Sequence, residues 1–360
     1  MTTLAAIAAE FGVEAAPGSI RPLGEGLIND TYLVATPDPA TPDYLLQRIN
    51  TDIFRDLDTL QGNIDAVTAH IRRKLIDAGA ADIDRKVLRF MPATQTAKTY
   101  YIASDGSAWR MMVYIPDSVT LSRVDCQGAW LTGRAFGDFQ QMLSDIPDAL
   151  GETIPRFHDM EFRLEQFDEA VAADRAGRLS RVRPIVDDLL SRAEEMTAAE
   201  RLHRSGVLPK RVCHCDTKLN NILFDRHGAI LCVIDLDTVM PSFVFSDIGD
   251  FLRTAASTVA EDAPDLAKVD FRTDIFKAFI KGYLETADFL TPLEKSMIPY
   301  AARLFPYMQA VRFLTDYLNG DVYYKTAYAD HNLVRTRNQL CLLKAIERKE
   351  PELNQILADL

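Results

Sequence analysis

The chain has 360 residues, of which 48% are hydrophobic, and a formal net charge of −12, so it is long enough for two globular units or one large bilobal unit. Its acidic balance argues against a nucleic-acid partner or an anionic membrane surface. Five scattered cysteines, a start without a basic segment and the lack of a long apolar run lead us to expect a cytoplasmic protein with reduced thiols.

The first 115 residues have the pattern of a small, strand-rich lobe. SIRPLGEGLINDTYLVA predicts a strand, a glycine-containing turn and a second strand, and DYLLQRIN predicts a third. DLDTLQGNIDAVTAHIRRKLIDAG has helical periodicity, and RKVLRFMPA, KTYYIAS and AWRMMVYI add three strand candidates. The proline in IPDSVTLS then marks a linker. We therefore expect residues 1–115 to form one small lobe.

Residues 116–360 are mostly helical in pattern, as in AWLTGRAFGDFQQMLSDI, and we expect them to form a second, larger lobe. One stretch in this half is an exception, because it has the pattern of a loop followed by a β-hairpin. The sequence therefore predicts an α+β fold with a small β-rich amino-terminal lobe and a larger, mainly helical carboxy-terminal lobe.

That exceptional stretch, CHCDTKLNNIL, places a His, an Asp, a Lys and two Asn directly before strand-like runs. NILF and AILCVI are β-prone and are separated by the turn formers DRHG, so they predict a hairpin. If Phe224 pairs with Ala229 across the turn, Asp235 lies opposite Lys218. Asn221 and Asp235 would then leave the same open end of the hairpin.

These polar residues suit phosphoryl transfer from a nucleotide. The reaction needs a carboxylate that orients the attacking hydroxyl and accepts its proton, and we expect Asp216 to be this base. It also needs oxygen ligands for a divalent metal on the phosphates, which we assign to Asn221 and Asp235. Such ligands favour Mg²⁺. Lys218 is placed to contact the γ-phosphate. The alternative is a polar loop whose acids cap turns or helices.

The pattern His214-x-Asp216-x₄-Asn221, followed by Ile234-Asp235, resembles the catalytic loop and metal-binding Asp of protein kinases. It resembles the aminoglycoside phosphotransferase and choline kinase-like superfamily more closely. HCDTKLNNILFD, VIDLDTVMPSFVFSDIGDFLR and VRFLTDYLNGDVYY are similar to N-acetylhexosamine 1-kinases, and this similarity runs over nearly the whole chain. The resemblance implies a bilobal, protein-kinase-like fold with ATP and Mg²⁺ as partners. In such a fold residues 1–115 would be the nucleotide-binding lobe, and residues 116–360 would be the catalytic and substrate-binding lobe. It implies phosphorylation of the C1 hydroxyl of N-acetylglucosamine or N-acetylgalactosamine.

Candidate nucleotide contacts lie in the amino-terminal lobe. Gly24 and Gly26 could let backbone N–H groups approach phosphates, or could simply form a turn. Gln47 stands where protein kinases have a phosphate-binding Lys, and strand alternation directs the neighbouring Arg48 to the opposite face. The backbone at Val113 and Ile115 lies where a kinase hinge meets adenine; the alternative is an edge strand entering a linker.

The resemblance also implies sugar contacts. Arg312 and Tyr323 match positions that resemble sugar contacts in the N-acetylhexosamine 1-kinases, and Asp237 and Thr238, shortly after the expected metal ligand, are further candidates. An alternative for Arg312 is an i,i+4 ion pair with Asp316, and one for Tyr323 is packing between helices.

Two functional alternatives stay open from the sequence. The acceptor could be another small alcohol, such as an aminoglycoside, an amino alcohol or a different sugar. The chain could also be a nucleotide-binding module without activity, which Gln47 in place of Lys would fit. The sequence decides neither the sugar preference nor the oligomeric state.

Overall fold

A computed structural model describes residues 3–23, 28–121, 124–147 and 149–360. Within these ranges the strands are β1 Arg21–Pro22, β2 Asp30–Val34, β3 Tyr44–Ile49, β4 Tyr101–Ile102, β5 Ala108–Val113, β6 Ser118–Val119, β7 Arg211–Cys213, β8 Ile222–Asp225, β9 Ile230–Val233 and β10 Met240–Ser242. The α-helices are α1 Leu4–Glu10, α2 Leu57–Asp77, α3 Ile83–Lys86, α4 Cys126–Leu143, α5 Met160–Ala173, α6 Leu179–Leu190, α7 Ala193–Met196, α8 Ala198–Arg204, α9 Phe245–Ala255, α10 Thr273–Leu284, α11 Pro292–Ser296, α12 Ile298–Asn319 and α13 His331–Ala358. None of the helices in the described ranges has the length and apolar character needed to cross a membrane.

The chain divides into two compact units. The first contains Met1–Thr120, Asp145–Pro155 and Asn221–Met240, and the second contains Leu121–Ser144, Arg156–Asn220 and Pro241–Leu360. The β8–β9 hairpin therefore groups with the strand-rich amino-terminal part, because β6 pairs with β8. The expected α+β class is confirmed, with a β-sheet amino-terminal region and a helical carboxy-terminal part.

The main sheet of the first unit has the strand order β1-β2-β3-β5-β4. Its strands alternate between two faces, as the period of two requires. One face places Val34, Leu46 and Met111 in an apolar cluster with residues of α1. Thr31, Gln47 and Arg110 are directly opposite one another in the register and form a polar row on the other face.

Helix α2 is the long amino-terminal helix that the sequence predicts. Asp56 begins it as an N-cap, because its side chain accepts a hydrogen bond from the Thr59 N–H. The strand expected in RKVLRFMPA is wrong. Its start belongs to α3, and within the described residues the rest contributes only an isolated bridge between Phe90 and Met112.

The three-stranded sheet of the first unit, β6-β8-β9, contains the predicted hairpin in a different register. Phe224 pairs with Ile230 rather than Ala229, and Leu223 pairs with Cys232, so that one residue of β9 is bulged. The expected pairing of Lys218 with Asp235 is therefore wrong, because the register differs by one residue at the turn and the bulge shifts it by one more toward the open end.

The second unit packs its helices around one large apolar core. Helices α4 and α10 approach each other closely where glycines face the partner backbone. A Cβ on Gly133 would lie 2.1 Å from the Phe279 carbonyl oxygen, and one on Gly282 would lie 2.1 Å from the Trp130 carbonyl oxygen. This contact fixes α4, whose Phe136 and Phe139 pack their rings against His214.

Candidate active site

The loop that carries Asp216 belongs to the second unit and follows β7. The backbone N–H groups of His214 and Cys215 donate to the two oxygens of Asp247, at 2.9 and 2.7 Å. The backbone of Cys215 has the left-handed conformation, with φ of 63°. Asp247 is fully buried near the start of α9, so the carboxylate fixes the loop backbone directly before Asp216.

A second acid of α9 contacts the same loop. Asp250 accepts the Thr217 N–H at 3.0 Å, and the Thr217 hydroxyl donates to the Asp247 backbone carbonyl at 2.7 Å. Both acids of α9 therefore hold the backbone of the loop. Burial raises the pKa of both carboxyls, each to about 6.

Asp216 itself forms an ion pair with Lys218, with 2.5 Å between Oδ1 and Nζ. The Asp216 side chain is 24% exposed, so it is reachable by a substrate while its loop is fixed from beneath. The Asp216 N–H donates to Nδ1 of His214 at 3.3 Å, and the His214 ring is fully buried. His214 therefore supports the backbone of the loop from a buried position.

The thiols that flank His214 are buried. The Cys213 thiol donates to the Phe243 carbonyl, and burial raises the pKa of Cys213 and of Cys215 well above the usual range. Among the described residues no group of three or more His, Cys, Asp or Glu side chains could hold a metal ion together. Both cysteines are packing residues.

The raised pKa of Asp247 predicts a pH dependence of stability. Because the pKa of about 6 in the folded protein exceeds the ordinary 3.8, the native state binds this proton more tightly than the unfolded chain does. The contribution of Asp247 to the free energy of unfolding is thus greatest below its pKa of 3.8 in the unfolded chain. It decreases as pH rises through the pKa of about 6 in the folded protein. Relative to Asp247→Asn, we expect wild type to lose up to about 3 kcal/mol of unfolding free energy as pH rises from about 4 to about 6.

Chemical denaturation of both proteins across this pH range measures the difference. In Asp247→Asn the amide group faces one of the two N–H donors, which costs an amount of stability that does not change with pH. Only wild type adds the titration of Asp247, so the difference in unfolding free energy between the two proteins should change by up to about 3 kcal/mol over this range. Two curves that stay parallel from acid to neutral pH would contradict the prediction.

The expected metal ligands Asn221 and Asp235 lie in the first unit. The Ile234 N–H donates to the Asn221 carbonyl at 2.9 Å, so the two segments meet at the open end of the hairpin. Asn221 is 6% exposed, whereas Asp235 is exposed and left-handed, with φ of 60°. One carboxylate and one amide oxygen at this end would suit a hard divalent cation, which would supply positive charge for phosphate oxygens.

Three of the five expected nucleotide contacts, Gln47, Val113 and Ile115, lie within the described residues. Gly24 and Gly26 lie outside the described residues. Gln47 is partly buried in the polar row of the main sheet, and Arg48 is exposed on the opposite face, as alternation predicts. The Val113 N–H donates to the Arg89 carbonyl at 2.9 Å. Ile115 is buried directly after β5, and its carbonyl accepts the Ser118 hydroxyl.

Two of the expected sugar contacts, Asp237 and Thr238, form a buried 3-10 turn with Leu236 directly after Asp235. Both oxygens of Asp237 have partners in the first unit: Arg110 Nη1 at 2.5 Å and Asn29 Nδ2 at 2.7 Å. Arg110 is absent from the sequence-based site. Its signal is a lone charge inside the apolar run AWRMMV, because such a charge is buried only when it is paired.

The other two expected sugar contacts, Arg312 and Tyr323, line one cavity of about 320 Å³ in the second unit. Helices α5 and α12 and residues 322–324 form its walls. Tyr323 is 71% exposed and contacts the Tyr324 ring edge-on, so it is not packed between helices. Arg312 lies against the rings of Phe157 and Tyr324 and donates to the Gln309 side chain.

Asp316 has a different partner from the one that the helical spacing suggests. Its two oxygens accept the backbone N–H groups of Val322, Tyr323 and Tyr324, at 2.8 to 3.0 Å, and the Asn332 amide. The described residues therefore contain no ion pair between Arg312 and Asp316. The carboxylate instead fixes the segment that presents Tyr323 to the cavity.

Comparison with known structures gives the fold. The amicoumacin kinase hAmiN in complex with AMP-PNP, Ca²⁺ and Ami has a TM-score of 0.57 at 18% identity, covering 94% of this chain and 90% of that one. An aminoglycoside phosphotransferase from Alicyclobacillus acidocaldarius has a TM-score of 0.59 at 12% identity, covering 99% and 96%. A choline/ethanolamine kinase family protein from Mesorhizobium loti has a TM-score of 0.54 at 18% identity, covering 95% and 92%.

The family follows from the sequence match. The profile of the phosphotransferase enzyme family (APH) matches residues 19–284, well over half of the chain. This range contains the loop with Asp216 and the hairpin with Asn221 and Asp235. The chain therefore belongs to the phosphotransferase enzyme family and is a small-molecule phosphotransferase.

Proposed function

We propose that the protein transfers the γ-phosphoryl group of ATP to the anomeric C1 hydroxyl of an N-acetylhexosamine. Asp216 is the base for the attacking hydroxyl, and Lys218 exchanges its contact with Asp216 for the migrating phosphoryl group. Asn221 and Asp235 are the protein ligands of a divalent cation, Mg²⁺, which neutralises charge on the phosphates. The complex of the related fold hAmiN with AMP-PNP and Ca²⁺ supports a nucleotide and a divalent cation.

The observation that carries the choice of acceptor is the charge of the cavity that Arg312 and Tyr323 line. Arg163 also lines it, and within the described residues neither Arg163 nor Arg312 forms an ion pair with a carboxylate. Burial and the neighbouring Arg312 lower the pKa of Arg163 to about 10. Two guanidinium groups that line the same cavity repel a cationic acceptor.

The two acids at the same cavity, Glu169 and Asp316, reduce this charge but do not cancel it, because Arg175 lines the cavity as well. Asp316 is only 4% exposed, and its oxygens accept hydrogen bonds from neighbouring backbone and Asn332, so it is not available to an ammonium group. Glu169 is on the exposed outer part of α5. The cavity therefore favours a neutral acceptor whose hydroxyl and acyl oxygens accept from arginine, with the exposed Tyr323 ring beside it. This argues for a neutral sugar over an aminoglycoside or an amino alcohol.

The remaining nucleotide and sugar contacts are parts of the same proposal. Gly24, Gly26 and Gln47 are the candidate contacts to the ATP phosphates. The backbone at Val113 and Ile115 is the candidate contact to adenine. Thr238 and Asp237 are the other candidate sugar contacts. For Asp237 this role would require exchange of a partner, because both of its oxygens are engaged.

The test is phosphorus NMR of the products formed from ATP, Mg²⁺ and a panel of acceptors. We expect N-acetylglucosamine or N-acetylgalactosamine to yield an acid-labile phosphate coupled to the anomeric proton. The matched control is the same sugar with a methyl group on the C1 oxygen, which should give no product. A panel of aminoglycosides and amino alcohols should react at least about 100-fold more slowly, because the arginines that line the cavity repel their ammonium groups.

Phosphorylation of the C1-methylated control, or of another hydroxyl of the free sugar, would refute the anomeric assignment. Faster turnover of a cationic acceptor than of any N-acetylhexosamine would refute the choice of acceptor class.

A further inference from the structure

The polar row of the main sheet leads to one buried charge. The Gln47 amide donates to the Thr31 hydroxyl at 3.0 Å, and its oxygen accepts from Arg110 Nε at 2.9 Å. Arg110 is 2% exposed and lies over the Phe90 ring. The guanidinium orientation is therefore fixed from one side by the neighbouring strand.

The other side of this guanidinium pairs with Asp237. Arg110 Nη1 and Asp237 Oδ1 are 2.5 Å apart, with side chains 2% and 5% exposed. The second carboxylate oxygen accepts from Asn29 Nδ2 at 2.7 Å, and Asn29 Oδ1 accepts the Asn50 N–H at 2.9 Å. Asp237 is thus attached to β5 through Arg110 and to Asn29, the residue directly before β2.

This attachment lies two residues after Asp235. The Asn63 side chain of α2 donates to the Val239 carbonyl at 2.9 Å, and the Ile234 N–H on the other side donates to the Asn221 carbonyl. Asp235, exposed and left-handed, stands between these fixed points. A non-glycine residue keeps such a conformation only where its surroundings impose it.

We propose that Arg110 and Asn29, acting through Asp237, are positioning residues that fix the direction of the Asp235 carboxylate toward a divalent cation. This inference rests on the proposed function, in which Asp235 is a metal ligand. It also gives a role to the buried guanidinium of Arg110. Arg110 is on the strand beside Gln47 and is paired with Asp237, in the turn that follows the metal ligand.

A purely structural ion pair is the competing explanation, and paired substitutions separate the two. Arg110→Met alone leaves Asp237 as an uncompensated buried charge, so its Tm should fall. Arg110→Met with Asp237→Leu removes both charges, and its Tm should recover most of that loss. If the pair positions Asp235, the double variant should still bind metal poorly.

The readout is calorimetric binding of Mn²⁺ to the full chain saturated with AMP-PNP, together with Tm. We expect Mn²⁺ affinity to be about 10-fold to 100-fold weaker in the double variant, as for other residues that orient metal ligands. Asn29→Ala keeps the ion pair and removes one attachment of Asp237, so it should weaken Mn²⁺ binding several-fold with a smaller loss of Tm than Arg110→Met. The exposed Arg55→Met is the matched control and should bind Mn²⁺ as wild type does.

Wild-type Mn²⁺ affinity in Asn29→Ala, or in a double variant with recovered Tm, would reduce the pair to a structural role and overturn the inference. Asp235→Asn distinguishes this failure from that of the proposed function. If Asp235→Asn weakens Mn²⁺ binding while the other variants do not, only the positioning role is lost. If Asp235→Asn also binds normally, the metal assignment itself is wrong.

Discussion

Replacing Asp216 with asparagine is expected to lower kcat by about two orders of magnitude or more, with little change in ATP binding. Asparagine has nearly the same shape, but it cannot accept the proton of the attacking hydroxyl. The loop should keep its conformation, because its backbone is held by Asp247 and Asp250 rather than by the Asp216 side chain. Initial rates at saturating ATP and acceptor, with calorimetric ATP binding, measure both quantities.

Asp187→Asn is a suitable control, because Asp187 is an exposed residue of α6 in the same unit. It should retain wild-type kcat and Tm. An Asp216→Asn protein that turns over within a few-fold of wild type would contradict the role of Asp216 as the base. If neither wild type nor the variant phosphorylated any alcohol, a nucleotide-binding module without activity would be the better description.

Asp235→Asn is expected to have the second largest effect, and at a different step. Loss of one carboxylate from the cation should lower kcat/KM for metal-bound ATP by a factor on the order of 10² to 10³. Asparagine tolerates the left-handed conformation of this position, so the turn should be retained. The measurement is kcat/KM for ATP over a range of Mg²⁺ concentrations.

The two substitutions have opposite signatures. Asp216→Asn should bind metal-bound ATP normally and react slowly, whereas Asp235→Asn should need much more Mg²⁺ to reach half of its own maximal rate. The exposed Asp77→Asn on α2 is the control for general loss of negative charge. An unchanged Mg²⁺ requirement in Asp235→Asn would show that Asp235 is not a metal ligand.

Local patterns in the sequence were sufficient for the class of fold and for the chemistry of the loop. Period-two and helical patterns predict the strand-rich and helical parts, since each pattern depends on neighbours along the chain. The spacing of Asp216, Lys218 and Asn221 is equally local, and it indicates a phosphotransferase loop. The strand expected in RKVLRFMPA failed because an apolar, β-prone run does not decide whether a pairing partner is present.

Register and burial needed the folded structure. The pairing of Lys218 with Asp235 fails because the register differs by one residue at the turn and a bulged residue in β9 shifts it by one more, and composition indicates neither. Helical spacing suggests an ion pair between Arg312 and Asp316, but Asp316 instead accepts hydrogen bonds from residues 322–324. Competition for a carboxylate is settled by which donors the fold places nearest.

By itself, the sequence determined that this protein is an α+β phosphotransferase with Asp216 as the candidate base, because motif residues close along the chain report their chemistry through spacing. Only the tertiary structure decided that both acids of α9 fix the Asp216 loop, and that Arg110 pairs with Asp237. Those partners are 30 to more than 100 residues apart. Contacts over such separations arise from packing of whole elements, which no local pattern encodes.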